Sequence, residues 1–235
     1  MPEHTHKQFD TEMEAIRSGV LTMGGLVETQ LGRAISLLED DEVDGVPEQV
    51  ASDEQLINQM QVDMDLACSQ IIAKRQPTAI DLRMVLTVTK IVNDLERVGD
   101  EAKKVAKKAT QEAQTSRLAQ VRTFEVARAA NRAKEMLQLA LDAFARLDVV
   151  AAAEVIDLDD EIDAAFSAIL RQLISYMMED PRTITPALEI VFMAKSIERI
   201  GDHAKNIAEA VVQVVKGKDV RHASADEIRA EVAER

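Results

Sequence analysis

The sequence predicts an all-α protein: two tandem three-helix bundles related by an internal duplication, six long helices in all. Three observations carry this. The stretch Glu96-Arg97-Val98-Gly99-Asp100-Glu101-Ala102-Lys103-Lys104-Val105-Ala106 returns 102 positions later as Glu198-Arg199-Ile200-Gly201-Asp202-His203-Ala204-Lys205-Asn206-Ile207-Ala208, with seven of eleven positions identical and two more exchanging Val and Ile. A period near a hundred residues is too long for a solenoid unit and suits two copies of one small domain. Apolar residues make up 46% of the 235 but aromatics only 3%, so the core must be built from Leu, Ile, Val, Ala and ten Met, which are helix formers or helix-compatible fillers. Eight Gly and five Pro are too few for a turn-rich β protein.

The elements follow in order. Residues 1–8 read as a frayed tail holding His4 and His6. The first helix runs from Phe9 to about Glu39, with Ile16, Val20, Met23, Val27, Leu31, Ile35 and Leu38 at three- and four-residue spacing. Its internal Gly19, Gly24, Gly25 and Gly32 are expected to let a neighbouring helix come close. An acidic break with Gly45 and Pro47 ends it, and a second helix spans about Gln49 to Arg75, with Leu56, Met60, Met64, Ala67 and Ile71 on one face. Pro77 stops that helix, and Thr78 to Asp81 reads as an N-cap opening a third, which reaches about Thr110.

The repeat boundary falls in the unpatterned Gln111 to Ala119, giving bundles at 9–113 and 114–217. The fourth helix covers about Val121 to Leu147, with Phe124, Leu137, Leu141 and Phe144 inward; the fifth covers Val149 to Met178 and ends at Asp180-Pro181. The sixth starts near Thr185-Pro186 and ends near Lys216-Gly217; 218–235 is a charged, loosely held tail.

On the third helix Met84, Val88, Ile91, Leu95, Val98, Ala102 and Val105 form an apolar stripe, and Glu96 and Asp100 lie nearly opposite it. The sixth repeats this, with Ile190, Met193, Ile197, Ile200, Ala204 and Ile207 inward and Glu198 and Asp202 outward. Solvated carboxylates need no further explanation on such a face. However, Glu101 against His203, and Lys104 against Asn206, differ between the copies, while the Glu, Arg, Gly and Asp do not. Solvation alone does not hold a residue type fixed while its wet neighbours change. Acids four apart share one face with Cβ atoms about 6 Å apart, and a hard or borderline cation bridging them removes their repulsion. Glu96, Asp100, Glu198 and Asp202 are therefore the candidate metal ligands.

Asp159 and Asp163 on the fifth helix match Glu54 and Asn58 on the second at an offset of 105, and are weaker candidates. His203 points about 100° away from Asp202 and is not taken as a ligand. The ion is divalent or part of a multinuclear centre; carboxylate ligation suits magnesium, calcium, manganese or iron and admits zinc.

Other chemistries find no footing. The only Glu-x-x-His is Glu3 to His6 in the tail, and HExxH, P-loop and GxSxG patterns are absent. The net charge of −14 disfavours nucleic acid as a partner. Cys68 alone permits no intrachain disulfide and reads as a small buried helix residue. No apolar run approaches a membrane span and no leader precedes the first helix, so a cytoplasmic location is expected. Lys103, Lys104, Lys107 and Lys108 form a basic patch, explained either by the third helix's C-terminus or by an acidic docking partner.

These residues resemble the PhoU family. The resemblance rests on the doubled Glu-Arg-Val/Ile-Gly-Asp, on Thr22-Met23-Gly24-Gly25, on Ile71-Ile72-Ala73-Lys74-Arg75-Gln76-Pro77-Thr78, on Asp142-Ala143-Phe144-Ala145-Arg146 and on Met177-Met178-Glu179-Asp180. It spans about residues 9 to 222 in order. It implies two three-helix bundles with a metal-binding Glu/Asp-x-x-x-Asp motif in each, here Glu96 with Asp100 and Glu198 with Asp202. Asn58 departs from an all-acid set and implies unequal sites.

The resemblance further implies a non-enzymatic negative regulator of the phosphate-starvation response. It would link the phosphate ABC transporter ATPase to a phosphate-sensing histidine kinase, form a homodimer and meet the membrane only through partners. A metal-dependent hydrolase using the same carboxylates, or a purely structural scaffold, are the alternatives.

Overall fold

The computed structural model describes the backbone of residues 2–39, 44–113, 117–220, 223 and 225–233, and side chains over 7–39, 44–110, 124–220, 223 and 227–231. The side chains of His4 and His6, and residues 114–116 of the expected boundary, lie outside them. Among the described residues there are seven helices and no strand. They are α1 (Pro2–Glu39), α2 (Val46–Arg75), α3 (Ala79–Ala113), α4 (Arg117–Arg146), α5 (Val149–Glu179), α6 (Ile184–Lys216) and α7 (Ala225–Ala233), with one 3-10 turn, Pro181–Thr183.

Local chemistry sets most of the boundaries. Gly45, at φ 76°, precedes α2, and Pro47 fills its first turn, where a missing N–H costs nothing. The Asp148 carboxylate accepts from the N–H groups of Val150 at 3.0 Å and Ala151 at 3.1 Å and so caps α5. Asp180 starts the 3-10 turn by accepting from the Arg182 N–H at 3.0 Å. Gly217, at φ 76°, closes α6, its N–H donating to the Gln213 carbonyl. At α3 the Asp81 N–H donates to the Thr78 backbone carbonyl at 3.2 Å, and Ala79 takes a left-handed φ of 48°.

Each repeat packs as the periodicity predicts: the inward positions expected on α1, α3 and α6 are all buried. Arg75 ties the end of α2 to α1, its Nε and Nη2 donating to the Glu12 carboxylate at 2.8 Å each. Cys68 is buried.

The two bundles are not separate bodies. A single cluster of buried apolar side chains runs through both, and the most extensive packing in the molecule joins α3 to α6. These helices run antiparallel: partners on α3 ascend as those on α6 descend, from Lys90–Gln213 through Asp94–His203 and Glu101–Arg199 to Lys108–Glu189. On the other side α1 meets α4, where Gly24 matters. A Cβ there would sit 2.7 Å from Leu141 Cδ1, so any larger residue would force the Leu141 side chain to move. Gly25 meets nothing within 4 Å and has no such role.

Several expectations need correcting. Helix α1 begins at Pro2, well before Phe9. Leu56 is 54% exposed, with its neighbour Ile57 buried instead; the other expected positions of α2 keep their face, Ile71 buried and Met60, Met64 and Ala67 packed against the core. Phe124 is 69% exposed; it lies about 140° round α4 from buried Leu137. The tail after 218 contains α7, which docks on α5 through buried Ile228 and through Arg229, whose Nη2 lies 2.7 Å from Asp157 Oδ1. Finally, α3 runs on to Ala113, so Lys103 to Lys108 do not sit in its last turn. The helix terminus does not explain them.

A shared core makes the repeats one cooperative unit. Ile200→Ala, at a fully buried position of α6, is expected to lower stability by about 2–5 kcal/mol. Urea unfolding followed by far-ultraviolet circular dichroism is expected to show one transition for wild type and variant; two would mean the bundles fold independently.

Candidate functional site

Helix α3 has three working faces. One is the apolar stripe. A second, with Asp94, Arg97, Glu101 and Lys104, meets or borders α6. The third, with Glu96, Asp100 and Lys103, faces α2. Helix α6 repeats the arrangement, turning Glu198, Asp202 and Lys205 toward α5.

In the first repeat Lys103 Nζ lies 3.2 Å from Oε1 of Glu54, a buried acid on α2. Asp100 lies against Glu54, and Glu96 against Asp100. Burial, then the Asp100 carboxylate, push Glu54 above the ordinary glutamate range, against the opposing pull of Lys103. The same two causes, in the same order, raise Glu96. Glu54 Oε2 is buried with no hydrogen-bond partner. Two ionised carboxylates are acceptors only, so they can meet there only around a proton or a cation.

In the second repeat Lys205 Nζ lies 2.7 Å from Oδ2 of Asp159, a buried acid on α5. Asp202 is raised by burial first, then by Glu198, Asp159 and Asp163. Asp163 is raised by burial, then by Asp159 and Glu198. Lys195 Nζ donates to Glu198 Oε1 at 2.6 Å.

The motif glycines explain how α2 and α5 come so near. A Cβ on Gly99 would lie 3.2 Å from Ile57 Cδ1, and one on Gly201 would lie 3.3 Å from Ile162 Cγ2. Ile57 and Ile162 are 105 positions apart, as are Glu54 and Asp159. The packing therefore keeps the offset of 105, and the duplicated glycines seat the helices that bring the second-rank acids alongside the motif.

Glu54, Glu96 and Asp100 thus come together, as do Asp159, Asp163, Glu198 and Asp202. Asn58 is exposed on α2 one turn from Glu54, where the second repeat has Asp163. The first cluster holds three carboxylates and the second four.

Two sets of residues escaped the sequence reading. Lys103 and Lys205, themselves 102 positions apart, neutralise the buried acid of each cluster; their identity across the repeats was the available signal. Glu101 and His203 were read as wet positions, but both are buried at the α3–α6 seam. Glu101 pairs with Lys104 at 3.0 Å and Arg199 at 3.2 Å, and His203 Nδ1 lies 2.9 Å from Asp94 Oδ1. No local pattern could show that, because each partner across the seam is about a hundred residues away.

The clusters fit a hard cation in their donor chemistry, their surplus of carboxylates over lysines, and the orphaned Glu54 Oε2. Among the described residues no three carboxylates, imidazoles or thiols already stand in ligating geometry. The cation touching each buried acid is the motif's own lysine.

The PhoU domain family model matches residues 20–109 and again 126–211. A phosphate-specific transport system accessory protein PhoU homolog of Pseudomonas aeruginosa is 44% identical over 99% of this chain and 95% of its own length. The phosphate-specific transport system accessory protein PhoU of Escherichia coli K12 is 42% identical over 96% and 92%. Among solved structures, PhoU from Pseudomonas aeruginosa superposes with a TM-score of 0.84 at 44% identity, covering 89% of this chain and all of that one. The phosphate transport system regulatory protein PhoU from Streptococcus pneumoniae gives 0.80 at 26% identity, covering 90% and 99%.

The raised carboxylates carry a pH consequence. In the folded, metal-free chain Asp202 holds its proton more tightly than in the unfolded chain. Its contribution to stability is therefore fully present below the ordinary aspartate range and is lost as pH rises through the higher folded value. Asp202→Asn is expected to raise the melting temperature at neutral pH in chelator, with the gain vanishing once pH falls below the ordinary carboxylate range. Calorimetric melts against pH check this; a variant less stable than wild type at neutral pH would show the opposite sign.

Proposed function

This chain belongs to the PhoU family, and from that premise we propose that it is a non-enzymatic negative regulator of the phosphate-starvation response. It acts as an adaptor between the phosphate ABC transporter ATPase and its sensor histidine kinase, at the cytoplasmic side, as a homodimer that reaches the membrane through its partners. Supporting this, relatives named as phosphate-specific transport accessory proteins match almost end to end. No helix among the described residues is long and apolar enough to cross a membrane. The observation that carries the reading is the pair of like-charged clusters, repeated at equivalent places of a duplicated fold.

The residues that would hold a divalent ion are Glu54, Glu96 and Asp100 in one repeat, and Asp159, Asp163, Glu198 and Asp202 in the other. When bound there, a cation supplies charge compensation between carboxylates that otherwise repel. The chain's own part is to clamp: Glu54 ties α2 to α3, and Asp159 ties α5 to α6. Relieving the repulsion tightens both clamps and biases one arrangement of the outer helices, which is how such a site shifts a two-state equilibrium.

Three grooves, between α1 and α2, between α4 and α5, and along α3–α6, are lined by other residues than the motif carboxylates. A hydrolytic site would need these acids to face substrate in such a groove, and none of these three grooves offers that.

Partner capture with elemental analysis tests this. Wild type is expected to retain metal and to capture the purified ATPase subunit or the kinase cytoplasmic region. Glu96→Ala/Asp100→Ala and Glu198→Ala/Asp202→Ala are expected to lose metal and at least part of that capture. Variants that lose metal but capture partners as well as wild type would make the ion incidental to regulation. Wild type that captures neither partner would sink the adaptor reading.

A further inference from the structure

On the outer flank of each repeat, between its acid cluster and the turn joining its last two long helices, the two copies differ. In the second repeat α5 presents Phe166, Leu170, Ile174 and Met178, four residues apart and so forming one ridge. Beside it α6 presents Ile184, Leu188 and Phe192 at the same spacing. None is charged. Met178 is 81% exposed and Phe192 52%, and Ile174, Ile184 and Leu188 are exposed as well. Lys195 marks the end of the ridges nearer the acids, with its ammonium 5.4 Å from the Phe166 ring centroid and also donating to Glu198.

At the offsets of 105 and 102 the first repeat has Gln61, Asp65, Ser69 and Ala73 on α2, and Leu82, Leu86 and Lys90 on α3. There Gln61 donates to Asn93 Oδ1 at 2.9 Å and Lys90 to Gln213 Oε1 at 2.7 Å. The fold accepts a polar surface at this place, so packing within one chain does not require the apolar one, and a contiguous exposed apolar patch marks a contact. The ridges are also symmetric along their length. Helices α5 and α6 are antiparallel, with Phe166 beside Lys195 at one end and the Pro181–Thr183 turn at the other, which sets Ile174 level with Leu188. Leu170 and Met178 stand four residues either side of Ile174, and Ile184 and Phe192 four either side of Leu188, about 6 Å each way. A two-fold axis lying across both helices at that level sets Ile174 and Leu188 against their own copies, Leu170 opposite Met178, and Ile184 opposite Phe192.

We propose that this α5–α6 flank is the surface on which a second copy of the chain docks, with Leu188 on the two-fold axis. The proposal rests on the homodimer reading above and locates its interface. The ridges complement themselves under such an axis, as an isologous contact requires. They are uncharged, so two chains of net charge −14 meet there without like charges opposed at the centre. The patch also occurs in one repeat only, so the contact closes at two copies; a patch on both repeats would let chains add without end. Its margin carries both signs, Asp163 and Glu179 with Arg171 and Arg182, all exposed, which suits a protein face better than an anionic bilayer.

Sedimentation velocity across a dilution series of the full chain tests this, with circular dichroism melts as the check on folding. Wild type is expected to be dimeric. Leu188→Glu and Leu188→Arg each bring like charges together on the axis, and each is expected to raise the dimer dissociation constant at least about tenfold. An equimolar mixture of the two is expected to recover dimers, because opposite charges then meet. Leu86→Glu, at the equivalent place in the first repeat, is expected to change nothing. Should either charge impair folding, Leu188→Cys is expected to give a disulfide-linked dimer on mild oxidation and Leu86→Cys none, Cys68 being buried.

A wild type that stays monomeric at every concentration sinks the homodimer reading and this surface together. A dimer that tolerates both charges at position 188, and whose Leu188→Cys form does not cross-link, overturns the surface alone while the homodimer stands. If the Leu188 variants stay dimeric but lose binding to the purified ATPase subunit, to the kinase cytoplasmic region or to phosphatidylglycerol vesicles, the flank belongs to that partner or to lipid, and the proposal is overturned.

Discussion

The antiparallel packing of α3 on α6 is the contact on which the rest of the structure depends. Each helix offers a continuous apolar stripe, and the buried side chains of both belong to one cluster that runs through the two repeats. Joining them merges two small cores into one, which matters because small domains hide a lower fraction of their surface than large ones. Once the stripes are committed, the rotation of both helices is settled. The flank toward α2 or α5 must then carry the motif acids, and the remaining face must line the seam.

The acid clusters are a local cost that the fold tolerates. Like-charged carboxylates, partly buried beside Glu54 and Asp159, repel one another and hold protons more tightly than usual. A side chain chosen only for stability would be neutral or apolar there. The motif lysines soften the repulsion without cancelling it, since each cluster keeps more carboxylates than cations. Glu54 Oε2, buried and unmatched, is the sharpest sign of this imbalance. Departure from the stability optimum, held in both halves of a duplicated chain, is the pattern expected where function sets the residue. The halves are not equal, however, because Asn58 stands exposed where Asp163 supplies a fourth carboxylate.

The seam shows how a duplication diverges. Position 101 is an acid and position 203 is His, so Arg199 has an acid across the seam at a place where Arg97 meets an imidazole. Both residues are buried at one interface, beside the apolar stripes. The lysines after Asp100, which looked like a helix-end feature, instead divide between two faces: Lys103 serves the acid cluster, while Lys104 and Lys108 serve the seam.

By itself the sequence determined the duplication, the six long helices, most of their ends, and the inward stripes of α1, α3 and α6. These follow from local rules: a 3.6-residue period, a capping Asp148, and Pro and Gly at the breaks. It also held the correct register between α2 and α5, because Gly99 and Gly201 sit at the same place in each copy and admit Ile57 and Ile162. Tertiary structure alone decided which helix each wet-looking face would meet. Glu101 and His203 read as solvated, and Leu56 and Phe124 read as core, because periodicity reports how far a residue lies from the apolar stripe and not which neighbour stands beyond it. Merging the two cores placed a second helix against a face that one isolated bundle would have left in water. That placement joins residues a hundred positions apart, at a distance over which no local pattern in the chain carries information.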